Sequence, residues 1–183
     1  YEQDRGYVGA AAYPKFVGGL SFSGDWKGID LSFLFQAGLG RDVALTGVYS
    51  GGIMDNTQMT KPFYHGGNSP KYLVENSWRE DNTNAEFPRL SIVQASSNNA
   101  YSSTFWYRSG DYLRLKNLQI GYTFPQKWMS RIGIDRLRIY FEGQNLWTVS
   151  ELTKFNIDPE QPGVSNGYYP QQRIFSFGVN LAF

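Results

Sequence analysis

The feature that most constrains this chain is an alternation of apolar and polar residues that continues for 11 to 14 residues at a time. Five segments show it, at residues 16–26, 28–40, 111–124, 134–147 and 172–183. In the last segment Phe175, Phe177 and Val179 alternate with Ser176 and Gly178. A period of two indicates a β-strand whose two faces meet different surroundings. The sequence therefore predicts an all-β protein with about five long antiparallel strands.

The length of these strands favours a transmembrane β-barrel. Strands of soluble proteins usually span about 5 to 6 residues, whereas a strand that crosses a membrane needs roughly 9 to 11. In such a barrel the apolar face meets lipid, and the face that carries Arg136, Arg138, Glu142 and Gln144 lines the lumen. The alternative is a soluble sandwich, in which two sheets bury their apolar faces against each other.

The connections between the strands are unequal in length. Those at 24–28 and 125–133 are short, whereas 41–110 and 148–171 are long. Outer-membrane barrels have short periplasmic turns and longer extracellular loops, so we expect both short turns at one end of the sheet. Within the first long loop, a Ser-Pro pair predicts a short helix at about 69–78. A change of parity after Leu113 and Leu115 predicts a β-bulge near Lys116.

Composition excludes several classes of function. The net charge of +1 gives no field for binding nucleic acid. The chain has no cysteine and a single histidine, His65, so we expect no metal site of the Cys or His type and no cofactor. No Ser-His-Asp arrangement accompanies His65, and the acidic run 80–86 lacks the spacing of a calcium loop. The chain is not expected to be an enzyme. Its first residues also lack the pattern of a secretory signal.

Several motifs resemble the C-terminal barrel region of the SusC/RagA family of TonB-dependent outer-membrane transporters. They are YLRLKNLQIGY at 112–122, a proline turn at 125–133 and GQNL at 143–146. Three further stretches resemble the family in the same order along the chain, at residues 14–40, 76–90 and 169–183. The resemblance therefore covers nearly the whole chain.

The resemblance implies a section of a large barrel that a plug domain fills. Residues 1–183 would be its C-terminal part, and the plug domain and the N-terminal barrel strands would be absent. It further implies a multi-pass protein of the outer membrane that actively imports oligosaccharides or peptides. Its partners would be a SusD-like surface lipoprotein, the TonB complex through the missing N-terminal part, and membrane lipid. The alternative function is a secreted or surface carbohydrate-binding β-sandwich module.

Candidate functional residues are aromatic. Loop aromatics can stack on the rings of a sugar cargo or pack within the loops, and the candidates for cargo binding are Trp78, Trp106, Tyr168 and Tyr169. Phe183 ends the last alternating segment, and the resemblance implies that this aromatic residue acts in barrel assembly. Arg136 and Arg138 are expected to have a structural role on the lumen face, in a network with partners such as Glu142.

Overall fold

A computed structural model describes Gly6 and residues 10–45, 70–90, 103–162 and 171–183. The chain divides into two compact units. The first, here called the loop unit, comprises Tyr1–Tyr13, Gly40–Gly110 and Glu151–Tyr169. The second, here called the sheet unit, comprises Pro14–Leu39, Asp111–Ser150 and Pro170–Phe183.

The described residues form strands and a few short helical turns. The strands are β1 (Phe16–Trp26), β2 (Ile29–Leu39), β3 (Asp42–Ala44), β4 (Tyr107–Ser109), β5 (Tyr112–Thr123), β6 (Arg136–Ser150) and β7 (Ile174–Ala182). The α-helices are α1 (Lys71–Glu75) and α2 (Gln126–Met129), and 3₁₀ turns lie at Thr104–Trp106, Ser130–Ile132 and Glu151–Phe155. All five long strands that the alternation predicts are present.

The sheet unit contains one antiparallel sheet in the order β1-β2-β5-β6-β7. Its register places apolar residues opposite apolar residues: Leu31 pairs with Ile120, and Ile120 pairs with Phe141. Polar residues form their own rows, such as Gln119 opposite Glu142. Because neighbours in a row point to the same side of a sheet, the sheet has one apolar and one polar face, as the alternation predicts.

A β-bulge lies at the predicted position. The pairing of β5 with β2 and with β6 passes from Leu115 to Asn117, so that Lys116 has no partner in either register. The extra residue moves Leu113 and Leu115 onto the apolar face, together with Leu118. The apolar face is therefore continuous along β5, although the sequence changes parity.

The two short turns lie at the same end of the sheet. In the β1–β2 turn the carbonyl oxygen of Gly28 accepts a hydrogen bond from the amide of Thr123, the last residue of β5. The turn between β5 and β6 begins directly after Thr123 and contains α2. This end of the sheet is called the short-turn end below. Because both short turns lie there, the expected grouping of the turns is confirmed.

The loop unit has its own hydrophobic core. Strands β3 and β4 pair in it, and this pairing was not anticipated from the sequence. The predicted helix at 69–78 is present but shorter, because the side chains of Asn76 and Ser77 donate to the carbonyl oxygens of Tyr72 and Leu73 and end α1. The buried cluster comprises Val43, Leu45, Leu73, Phe87, Trp106, Leu152, Phe155 and Ile157.

A soluble sandwich is not what the described residues form. They contain a five-stranded and a two-stranded sheet, and many large apolar residues on the long strands, such as Phe22, Phe175 and Phe177, are exposed rather than covered by a second sheet. In the described part of the chain, no helix has both the length and the apolar character needed to cross a membrane.

Candidate functional site

The apolar face of the sheet unit is its first functional surface. The side chain of Phe177, near the middle of β7, is 83% exposed, and its ring lies 5.2 Å from that of Phe141 on β6. On the other edge Phe22 and Phe33 stack at 5.3 Å. Contiguous exposed apolar surface marks a contact with lipid or with another protein. Chemically, this face can only be covered by apolar groups.

The polar face is held by an ion pair that spans three strands. Arg138 on β6 donates two hydrogen bonds to the carboxylate of Asp30 on β2, one of them at 2.9 Å between Nε and Oδ1. The pair passes over Gly121 of β5, where a Cβ atom would lie 2.5 Å from Asp30 Oδ1. Glycine at this position leaves the space that the pair occupies. These hydrogen bonds agree with the structural role expected of Arg138, although its partner is Asp30 rather than Glu142.

Aromatic rings cover two further glycines of the polar face. The ring of Tyr140 lies over Gly178 of β7, and that of Tyr112 lies over Gly38 of β2. The hydroxyl of Tyr112 accepts a hydrogen bond of 3.0 Å from Gln36 Nε2. An aromatic ring over a cross-strand glycine restores the packing that glycine lacks. These contacts fix the positions of neighbouring strands on this face.

In the loop unit, Glu86 joins three segments of the chain. Its carboxylate accepts a hydrogen bond of 2.7 Å from the hydroxyl of Tyr72 on α1. It also accepts from Arg108 Nη2 at 3.2 Å and from Lys154 Nζ at 3.1 Å. Arg108 lies in addition 3.6 Å from Glu151. Several charged groups that share one carboxylate hold loop segments together better than an isolated pair does.

These contacts shift two pKa values. Burial raises the pKa of the Glu86 carboxyl, whereas hydrogen bonds from Tyr72 and Lys154 lower it, and the balance leaves this pKa below its ordinary value of 4.5. The hydrogen bond to Glu86 raises the pKa of Tyr72 above its ordinary 10.0. Near neutral pH, Glu86 is therefore a carboxylate and Tyr72 a neutral donor.

We expect Glu86→Gln to destabilise the loop unit by about 1 kcal/mol at neutral pH, since it removes partly exposed ion pairs. The pKa of Glu86 is lower in the folded than in the unfolded state. Its contribution is therefore complete above about pH 4.5 and is lost as the pH falls through the folded value. Thermal unfolding of both proteins should give a difference that is constant above pH 5 and disappears in acid.

Glu75→Gln is the matched control for this prediction. Glu75 also pairs with a lysine, Lys71, but both side chains are mainly exposed. The control should be neutral at every pH. An equal loss of stability in the two variants would show that the contacts of Glu86 have no special role.

The structure distinguishes between the aromatic candidates for cargo binding. Trp106 is 2% exposed and stacks on Phe87 within the loop core, so its selection as a cargo contact is corrected: no face of the ring is open to a ligand. Trp78 is 36% exposed. Tyr168 and Tyr169 lie outside the described residues, as does His65. In the described part of the chain, no group of His, Cys, Asp and Glu side chains could hold a metal ion.

Two open cavities of about 430 Å³ each adjoin Trp78. Val74, Ser77 and Arg79 line the first, and Phe87, Pro88 and Phe105 line the second. Arg89 borders both. An indole ring beside an arginine can stack on a planar or sugar ring and bind an anionic group. Arg89 lies within the stretch 76–90 that resembles the family, but its position in the same two cavities as Trp78 depends on the fold.

Phe183 follows β7 at the short-turn end, where the amide of Asp135 donates to the carbonyl oxygen of Ala182. Its side chain is 84% exposed. An exposed aromatic residue at the end of a strand is typical of a membrane interface. The role of Phe183 in assembly stays a prediction.

Comparison with curated proteins finds TonB-dependent receptors. The chain is 28% identical to TonB-dependent receptor P3 of Formosa agariphila over 98% of its own length and 17% of that receptor. It is 30% identical to TonB-dependent receptor SusC of Bacteroides thetaiotaomicron over 56% of its own length and 10% of that receptor. No protein-family model matches the chain.

Solved structures show the same relationship. The RagAB peptide importer in its closed-closed state matches 96% of this chain and 18% of its own, with a TM-score of 0.65 and 26% identity. Its open-open state gives a TM-score of 0.63. The chain thus spans less than a fifth of the length of each of these relatives. The resemblance predicted from the motifs is confirmed: over nearly its whole length the chain is similar to TonB-dependent receptors and to the RagAB peptide importer, and over about half of it to SusC.

Proposed function

We propose that this chain forms one section of the barrel wall of a TonB-dependent importer in the outer membrane. The observation that carries the proposal is the five-stranded antiparallel sheet, with an exposed apolar face on one side and the Asp30–Arg138 pair on the other. An apolar face suits lipid, and a polar face of this kind suits the interior of a large barrel. The similarity to TonB-dependent receptors over nearly the whole chain supports the same assignment.

The barrel as a whole would import a nutrient, an oligosaccharide or a peptide, with energy supplied through the TonB complex. A SusD-like lipoprotein would deliver the cargo to this importer. The names of two relatives support this proposal: one is the TonB-dependent receptor SusC, and the other is described as a peptide importer. The plug domain and the remaining strands would belong to other parts of the longer protein.

Cell fractionation combined with uptake tests the proposal. The complete protein that contains this chain should be found with the outer membrane, and a host that expresses it should take up its oligosaccharide or peptide. Uptake should stop when the membrane potential is dissipated, since TonB draws on that potential. Recovery of the folded protein in the soluble fraction would contradict the proposal.

Within this importer we propose that Trp78 contacts the cargo. Its partly exposed ring, in a cavity that Arg89 also lines, is the feature that suits binding. A favourable aromatic contact contributes about 0.5–1.5 kcal/mol. Trp78→Ala should therefore raise the half-saturating cargo concentration for uptake by roughly 2- to 12-fold.

Trp78→Phe is the matched variant, because it keeps a ring at the same position. It should restore most of the affinity, and both variants should reach the membrane in normal amounts. If the alanine variant reduced the amount of protein but left the half-saturating concentration unchanged, Trp78 would be a packing residue.

A further inference from the structure

The short-turn end of the sheet combines exposed aromatic and basic side chains. The β1–β2 turn presents Trp26 and Lys27, whose Nζ lies 4.6 Å from the centre of the Trp26 ring system. The β5–β6 turn presents a second set, Lys127, Trp128, Arg131 and Ile132. Both sets lie where the exposed apolar face of the sheet ends.

The helical part of the β5–β6 turn carries two apolar and two basic side chains that are all exposed. Trp128 and Ile132 are four residues apart and are 55% and 66% exposed. Lys127 and Arg131 are also four residues apart and lie next to them in the sequence. The exposed Trp128 and Ile132 are called the apolar stripe below, and the exposed Lys127 and Arg131 the basic stripe, whereas Met129 between them in the sequence is buried.

The backbone holds this turn in a fixed orientation. Gly133 adopts a left-handed φ of 72° and ends the helical part, and the amide of Ile134 donates to the carbonyl oxygen of Met129. The chain then enters β6 directly. The two stripes are consequently attached to the end of the sheet by a tight turn rather than by a long linker.

The positive charges of this end are incompletely neutralised. Within the described residues, neither Lys127 nor Arg131 forms an ion pair. The nearby acidic groups are Asp25 and Asp135, which are exposed, and Asp30, whose carboxylate is bound by Arg138. Anionic groups from outside the chain could therefore reach the basic stripe.

We propose that Lys127 and Arg131 bind the phosphate of an anionic phospholipid, while Trp128 and Ile132 enter the boundary between headgroups and acyl chains. This inference rests on the membrane location proposed above. A lipid fits better than free phosphate, because the apolar row Ile29, Tyr122 and Ile139 begins at the same end and can receive the acyl chains. Basic residues next to an apolar surface attract anionic headgroups, and tryptophan favours the interface.

The test measures lipid retention by the complete protein. It is inserted into vesicles of phosphatidylcholine and phosphatidylglycerol in equal amounts, extracted gently, and analysed for bound lipid by native mass spectrometry. The wild type should retain phosphatidylglycerol in preference to phosphatidylcholine. In the double variant Lys127→Gln, Arg131→Gln, this preference should fall by about 30-fold.

Two further variants serve as controls. Lys15→Gln, Arg173→Gln removes the same charge from the opposite end of the sheet, where both side chains are exposed, and should keep the preference. Lys127→Arg, Arg131→Lys preserves the charge and should also keep it. Normal insertion and circular dichroism would establish that every variant is folded.

The outcomes separate the inference from the proposed function. An unchanged preference in the double variant, or an equal loss in the opposite-end control, would overturn the phosphate site while leaving the membrane location intact. A wild-type protein that does not insert into vesicles would overturn both.

Discussion

Phe177→Arg should destabilise the membrane-inserted protein by about 2–4 kcal/mol, which is the cost of a lipid-facing arginine near the middle of a barrel strand. Phe177 lies on the apolar face, is 83% exposed, and contacts Phe141 on the neighbouring strand. In lipid, the arginine would have to leave the hydrocarbon region or carry its charge into it. Denaturant unfolding of the complete protein in lipid vesicles measures this cost.

Ser176→Arg is the matched control, because it places the same charge one residue away on the opposite face. Ser176 pairs with Glu142, so a new arginine there would meet a carboxylate on the polar face. We expect a change within about 0.5 kcal/mol. If the two variants were equally destabilised, or if Phe177→Arg were neutral, the assignment of the apolar face to lipid would be wrong.

Gly121→Leu is expected to separate Arg138 from Asp30 and to destabilise the protein by about 2 kcal/mol. A Cβ at this glycine would lie 2.5 Å from Asp30 Oδ1 and 2.6 Å from Arg138 Nη2, so the charged groups must move apart. Charge-assisted hydrogen bonds of this kind contribute about 1.5–3 kcal/mol. The same unfolding measurement applies.

The control for this variant is Gly19→Leu, on the polar face of β1. The nearest atom to a Cβ there is the carbonyl oxygen of Phe35 at 3.4 Å, and no ion pair occupies the space. It should be markedly less destabilising. An Arg138→Met change combined with Gly121→Leu should cost little more than Arg138→Met alone, because both disrupt one interaction. Additive losses would show that Gly121 acts independently of the pair.

The sheet was predictable because apolar and polar residues alternate along each long strand, which shows that the two faces of the strand meet different environments. Alternation along β7, from Phe175 to Val179, defines both the strand and its apolar face without any knowledge of its neighbours. The bulge at Lys116 was predictable for the same reason, since a change of parity within one apolar face requires an extra residue. The short turns place β1 beside β2 and β5 beside β6, whereas the pairing of β2 with β5 and of β6 with β7 required the fold.

The loop unit was not predictable in the same way. Its core joins Val43, Trp106 and Phe155, which are far apart in the sequence and belong to segments without periodicity. The burial of Trp106, which the sequence could not separate from an exposed loop aromatic, follows from this long-range packing. The β3–β4 pair consists of three residues on each side, too few for a visible pattern.

The contacts of the polar face also required the fold. Asp30 and Arg138 are 108 residues apart, and their pairing depends on the register of three strands and on the absence of a side chain at Gly121. The sequence could place Arg138 on the lumen face but could not identify its partner. Glu86 is a comparable case, since its partners come from α1, β4 and the turn at Glu151–Phe155.

The central claim is that β7 crosses the membrane with its apolar face in lipid, and a cysteine scan tests it most directly. This chain has no cysteine, so single cysteines at 175, 176, 177, 179 and 180 can be introduced in turn and spin-labelled in the membrane-inserted protein. Labels at 175, 177 and 179 should collide with oxygen, which dissolves in lipid, whereas labels at 176 and 180 should collide with a water-soluble nickel complex. Equal access of the nickel complex to all five positions would contradict the account.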